Sequence, residues 1–231
     1  GTTTLTSGNL NLGGFTLTTG TFSSSNTNTR AIAFGATNIV LAHATLGTTV
    51  LSMADTTNFT YTTSGTFGSG TGCFQSTMSV TRTFTFGTSA GASTANAPPL
   101  YLASGASIPT LTSGGWFKEV NFGTSSFTIA ATTLNLVNIY NNSSTCVLTL
   151  LTANMVGTGT IVMVTSIGPL IMNTASITTT VQSSSTSRCT TLAVTQGTLV
   201  LGAASSLICS STATWNSGSL DITSGTLQCT T

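Results

Sequence analysis

A phrase that returns at a nearly constant interval limits the fold of this chain more than any other feature. Gly197, Leu199 and Leu201 recur as Gly218, Leu220 and Ile222, and Leu207 and Cys209 recur as Leu227 and Cys229, a step of roughly 20 residues in both cases. The block Leu5-Thr6-Ser7-Gly8-Asn9-Leu10-Asn11-Leu12 returns as Ile222-Thr223-Ser224-Gly225-Thr226-Leu227-Gln228-Cys229, and more loosely over 194–201 and 111–120. A unit of this length holds two or three short strands joined by tight turns. It cannot bury its apolar face alone, so it stacks on copies of itself. The expectation is an all-β chain folded as a β-solenoid (β-helix) with coils of roughly 20 residues, a single module over residues 1–231. A β-sandwich or jelly roll with coincidental strand spacing is the alternative.

Local pattern agrees with the repeat. Apolar-x-apolar triplets recur, among them Leu10-Asn11-Leu12, Phe15-Thr16-Leu17, Ile32-Ala33-Phe34, Phe84-Thr85-Phe86, Leu199-Val200-Leu201 and Leu220-Asp221-Ile222. Period-2 alternation is the signature of short strands. Thr is β-branched and suits a pleated surface, while Gly and Asn mark turns. No apolar stripe of helical period is present, and the exposed helix formers Glu, Lys, Arg and Gln are almost missing.

Charge excludes several function classes. The 231 residues include four Lys and Arg and three Asp and Glu, with net charge +1. Hydroxyl groups must therefore supply the polar surface that ionic groups usually give. Arg30, Arg82, Lys118 and Arg188 are scattered singly, so no basic patch for nucleic acid forms from sequence neighbours. The most apolar stretch, Ile161 to Met172, is interrupted by Thr165, Ser166, Gly168 and Pro169, too soon for a membrane-spanning helix. A soluble chain is expected. Its first residue is Gly1, which suggests processing or a piece of something longer.

Residues able to carry chemistry are few. His43 is the single histidine, flanked by Ala42 and Ala44, and Asp55, Glu119 and Asp221 are the only carboxylates. Glycoside hydrolysis needs a cooperating acidic pair, and a triad needs an acid placed to orient its histidine. Lys118 and Glu119 are adjacent, so on a strand they point to opposite faces; the pair is expected to decorate a turn or edge. The expectation is a non-enzyme with no catalytic residues, no cofactor-binding residues and no metal site. The Gly-rich run 65–72 lacks the Lys of a phosphate cradle and reads as a flexible loop. Trp116-Phe117 and Trp215 could offer a stacking platform for carbohydrate, with core packing or a solenoid cap the more ordinary reading.

Cysteines total five: Cys73, Cys146, Cys189, Cys209 and Cys229. The last three are evenly spaced at the same step as the repeat, which in a solenoid stacks them as a ladder of small side chains. An odd count cannot pair completely within the chain, although a Cys209–Cys229 bridge across adjacent coils is conceivable. No C-x-x-C is present, which argues against a zinc or redox motif. Sequons at Asn58, Asn141 and Asn142 are weak hints of surface loops, and 141–145 reads as a turn.

The phrases over 5–35, 97–122 and 191–202 resemble the Thr/Gly-rich repeat modules of large uncharacterised proteins from tailed phages and marine viral metagenomes. That resemblance implies a β-helical structural or fibre role in a virion or extracellular setting, and it brings no catalytic residues. The closing phrase 224–227 repeats the opening 7–10, and an uncapped solenoid exposes strand edges. Self-association into an oligomer or filament, or contact with other virion proteins, is therefore expected. A cellular filament subunit or adhesin is the alternative, and a carbohydrate-binding β-helix with a groove at Trp116 or Trp215 is the third reading.

Overall fold

A computed structural model describes residues 1–45, 47–77, 81–88, 93, 95–103, 110–111, 114–123, 132–141, 151–164 and 167–230. Among them there is no helix. The first coil holds β1 (Thr2–Thr4), β2 (Gly8–Asn11) and β3 (Leu17–Thr19). Next come β4 (Thr21–Ser23), β5 (Arg30–Gly35) and β6 (Ile39–Leu41), then β7 (Thr48–Met53), β8 (Phe59–Thr63) and β9 (Phe74–Ser76). The middle of the chain carries β10 (Arg82–Phe86), β11 (Leu100–Leu102), β12 (Thr110–Leu111), β13 (Trp116–Asn121), β14 (Thr132–Asn141), β15 (Leu151–Met155) and β16 (Gly159–Met163). The last coils hold β17 (Leu170–Met172), β18 (Thr178–Val181), β19 (Thr186–Cys189), β20 (Leu192–Val194), β21 (Thr198–Leu201) and β22 (Ser206–Cys209). They end with β23 (Ala213–Trp215), β24 (Ser219–Asp221) and β25 (Thr226–Cys229).

Every pairing among these strands is parallel and joins a strand to one in an adjoining coil. That is a β-solenoid, and it removes the sandwich and jelly roll, whose sheets are antiparallel. The repeat read from the sequence is the physical register: Leu199 pairs with Leu220, and Leu207 with Leu227. The first step, Leu17 to Ile39, is about as short, but the next ones are longer. Leu51 pairs with Phe84 and Ile39 with Phe74, each a much longer excursion of chain than the step from Leu199 to Leu220.

Stacking in register turns the alternating pattern into interior columns. Ile39, Phe74, Leu100, Val120, Ile139, Ile161, Val181 and Leu201 are successive partners, each no more than 1% exposed. A second column runs Phe117, Leu136, Met155, Met172 and Val194. Rings fill the interior of these coils: Phe22 and Phe34 pack on Phe74 at 5.2 and 5.3 Å, and Phe86 bridges Phe59 and Phe117 at 6.0 and 5.9 Å.

Two sequence expectations change. Phe15-Thr16-Leu17 is not one strand: Gly13 and Gly14 turn the chain at φ +59 and +88, and Phe15 is left 80% exposed before β3 begins. Nor do the few charges all serve the surface, since Arg30, Arg82 and Glu119 are 0%, 1% and 7% exposed. Arg30 works as an internal tie. Its guanidinium donates to Asn26 O and Oδ1 and to the carbonyls of Asp55 and Thr57, and it lies 5.9 Å from the Phe59 ring centroid. Burial lowers its pKa, and the Asp55 charge opposes that.

Candidate functional site

β13 buries Phe117, Val120 and Asn121, so burial along it does not follow strict alternation. Lys118 is exposed and Glu119 buried. Both line one pocket, and Glu119 does not decorate an edge. It is roofed by the Gly-rich run that follows β8.

That run is an ordered cover, not a flexible loop. Thr63 Oγ1 donates to Gly72 O at 2.7 Å and accepts from Gly65 N–H at 3.0 Å, closing its base. Asn38 Nδ2 donates to Gly70 O at 3.0 Å and to Gln75 Oε1 at 2.8 Å, fastening the cover to the sheet. Gly68 and Gly70 have φ +75 and +65 and lie on the rings of Tyr140 and Tyr101, where an added Cβ would stand 2.7 and 2.6 Å from ring carbons. Glycine alone permits both the left-handed turn and that close approach. Phe67 meets Tyr140 edge-to-face at 5.3 Å.

Beneath the cover is a pocket of about 170 Å³ lined by residues including Thr71, Cys73, Tyr101, Lys118, Glu119 and Asn121. Glu119 Oε1 accepts from Gly68 N–H at 3.2 Å. Burial pushes the Glu119 carboxyl up to about 7, opposed by that bond, by Lys118 and by the neighbouring Asn121 amide. Asn121 is 2% exposed, and its Oδ1 accepts from Gly123 N–H at 2.7 Å. Its side-chain amide also favours the ionised form of Glu119. Burial, followed by the Glu119 charge, pushes the Cys73 thiol up to about 12, so it is protonated at neutral pH. On the other side of the cover a second hollow of about 410 Å³ lies between Phe67, Tyr140 and Val162 and the turn 182–185.

The remaining candidates stand apart. His43 is half-buried, its Nδ1 accepts from Thr45 N–H at 3.2 Å, and the hollow beside it, near Gly1 and Thr19, contains no carboxylate. Asp55 accepts from Thr57 N–H at 2.9 Å and Asp221 from Thr223 N–H and Oγ1 at 3.0 and 2.7 Å; these bonds lower both pKa values. Among the described residues no three His, Cys, Asp or Glu side chains gather as a metal site. Trp116 packs half-buried against the core, whereas Trp215 pairs with Val194 and ends the second interior column. Strands β14, β15, β17 and β20 separate them, roughly 24 Å at about 4.8 Å per strand, so they form no common platform.

Cys189, Cys209 and Cys229 pair in register as a ladder. The first two are buried, the third is exposed on the last coil, and these three thiols and that of Cys73 are free. Cys146 lies outside the described residues. Asn58 is exposed in a left-handed turn, its Nδ2 donating to Thr27 O at 3.0 Å. Asn141 is fully buried at the end of β14, which corrects its reading as a surface-loop sequon. Asn142 and the rest of the expected turn 141–145 lie outside the described residues.

No basic patch assembles among the described residues, since two of the four cations are internal. Among the described residues no helix is long and apolar enough to cross a membrane. Comparison with protein-family models, curated proteins and solved structures found no match.

Proposed function

We propose that this chain is a non-catalytic structural module of a virion or extracellular fibre, which extends by stacking coil on coil. The observation that carries this reading is the contrast between inner and end coils. The columns are sealed along their length, yet the outer edges of β23, β24 and β25 have no partner strand among the described residues, Trp215 and Ile222 are 36% and 51% exposed, and β1 and β2 are largely exposed. Unpaired parallel edges over open apolar rungs are the surface a further coil of the same architecture would cover. A heterologous head-to-tail contact of this kind gives a filament rather than a closed ring when its rotation does not close.

The test is sedimentation velocity and negative-stain microscopy of the 1–231 chain from micromolar to several hundred micromolar concentration. Linear head-to-tail species should grow with concentration, and Trp215→Asp should abolish them. A monodisperse monomer throughout that range would overturn the stacking reading. Immunogold labelling of the source particle or cell then locates the chain, and labelling confined to a cell interior would remove the virion and extracellular assignment.

A further inference from the structure

We propose that Cys209 and Cys229 form a redox-responsive pair: a small disulfide such as glutathione disulfide reacts at Cys229, and Cys209 then displaces it to close a bond between adjacent coils. This goes beyond the stacking reading and does not depend on it, because both thiols belong to one chain.

The register brings the two residues together. Cys209 and Cys229 are direct partners on β22 and β25. Neighbouring strands lie about 4.8 Å apart, inside the span of about 4.4–6.8 Å between α-carbons that a disulfide bridges. Both side chains leave the sheet on the face that carries Leu207 and Leu227 to the core. Exposure then gives each thiol a different role. Cys229 is exposed, whereas Cys209 and Cys189 are 0% and 1% exposed, so an incoming disulfide meets Cys229 first. Attack by the Cys229 thiolate forms a mixed disulfide and releases one glutathione thiolate. Cys209, its neighbour on the coil below, attacks the Cys229 sulfur, forms the coil-to-coil bond and releases the second glutathione. The two cysteines lose two protons and two electrons, and the glutathione disulfide accepts both electrons as it becomes two thiols. The cost is small: the Cys209 thiol gives up weak bonds to Thr212 O at 3.2 Å and Thr190 O at 3.4 Å. Cys189 lies on the far side of Cys209, and burial raises its pKa, which keeps it a thiol. Desolvation, followed by the Cys209 thiol, raises the Cys229 pKa as well, so exchange should quicken toward alkaline pH.

The experiment treats dilute 1–231 protein with glutathione disulfide at alkaline pH and reads peptide maps by mass spectrometry and hydrogen exchange. The expected product maps as a Cys209–Cys229 link with no glutathione on either residue, and its β25 amides exchange roughly tenfold or more slowly, because the closed coil opens less often. Cys209→Ser should stop at a glutathione adduct on Cys229, and Cys189→Ser should close the link as the parent does. The proposal is overturned if the parent chain retains glutathione on Cys229, if two chains join through Cys229, if the link found is Cys189–Cys209, or if Cys209 and Cys229 stay reduced. Those outcomes are read on the parent chain, so a variant that fails to fold does not protect the idea.

Discussion

Glu119 concentrates the titration behaviour of the chain. Its folded pKa is raised, to about 7 from an ordinary 4.5, because burial disfavours the ionised form. Folding is therefore undisturbed by this group below pH 4.5, and stability falls as pH rises from 4.5 through 7, by about 3 kcal/mol in total. Urea denaturation from pH 4 to pH 8 should show that fall in the parent protein, and Glu119→Gln should remove it and be the more stable at pH 8. Parallel profiles for the two proteins would contradict the assignment. The glycine cover allows a second check. Gly70→Ala combines a left-handed φ with contact on the Tyr101 ring, and should destabilise by about 2 kcal/mol or more. Gly47, also at positive φ but with open space around it, should lose only the conformational part.

Strands contribute by where their alternation places each apolar side chain. Ile161 sits inside an interior column with partners on both sides, fully enclosed, so Ile161→Ala should cost about 2–5 kcal/mol. Phe15 is larger and comes from an equally convincing triplet, yet Phe15→Ala should lie within about 0.5 kcal/mol, because two preceding glycines turn it into solvent. Chemical denaturation of both variants measures the difference directly. The same logic explains the asparagines on the outer wall: Asn154 Nδ2 donates to Asn135 Oδ1 at 2.8 Å and Asn135 Nδ2 to Gly114 O at 3.0 Å, a polar ladder made by the register that stacks the columns.

The assembled solenoid is close to one-dimensional, since each coil touches mainly its neighbours. Its stability should be graded along the axis. Hydrogen exchange should find the amides of β13, β14 and β16 slowest and those of β1, β2, β24 and β25 fastest, whereas uniform protection would mean a globally cooperative fold. Stacking through strand edges and apolar rungs should also be nearly independent of salt, because the end coils carry almost no charge to screen. A steep loss of association between low and high salt would point to a different contact.

Period-2 triplets, Thr and Gly content and the regular spacing of the C-terminal phrases were enough to specify stacked coils and the Cys189–Cys209–Cys229 register, because both are set by local alternation and repeat length. The pocket was not legible in the sequence. Glu119, Asn121, Tyr101 and the run 65–72 are brought together by a wide coil that carries its extra length as a cover over later strands, and no interval in the sequence encodes that return. Burial of Arg30, Arg82 and Glu119 was hidden for the same reason. Whether a charge faces solvent depends on which carbonyls, rings and loops arrive around it from other coils, and those contacts exist only once the stack has formed.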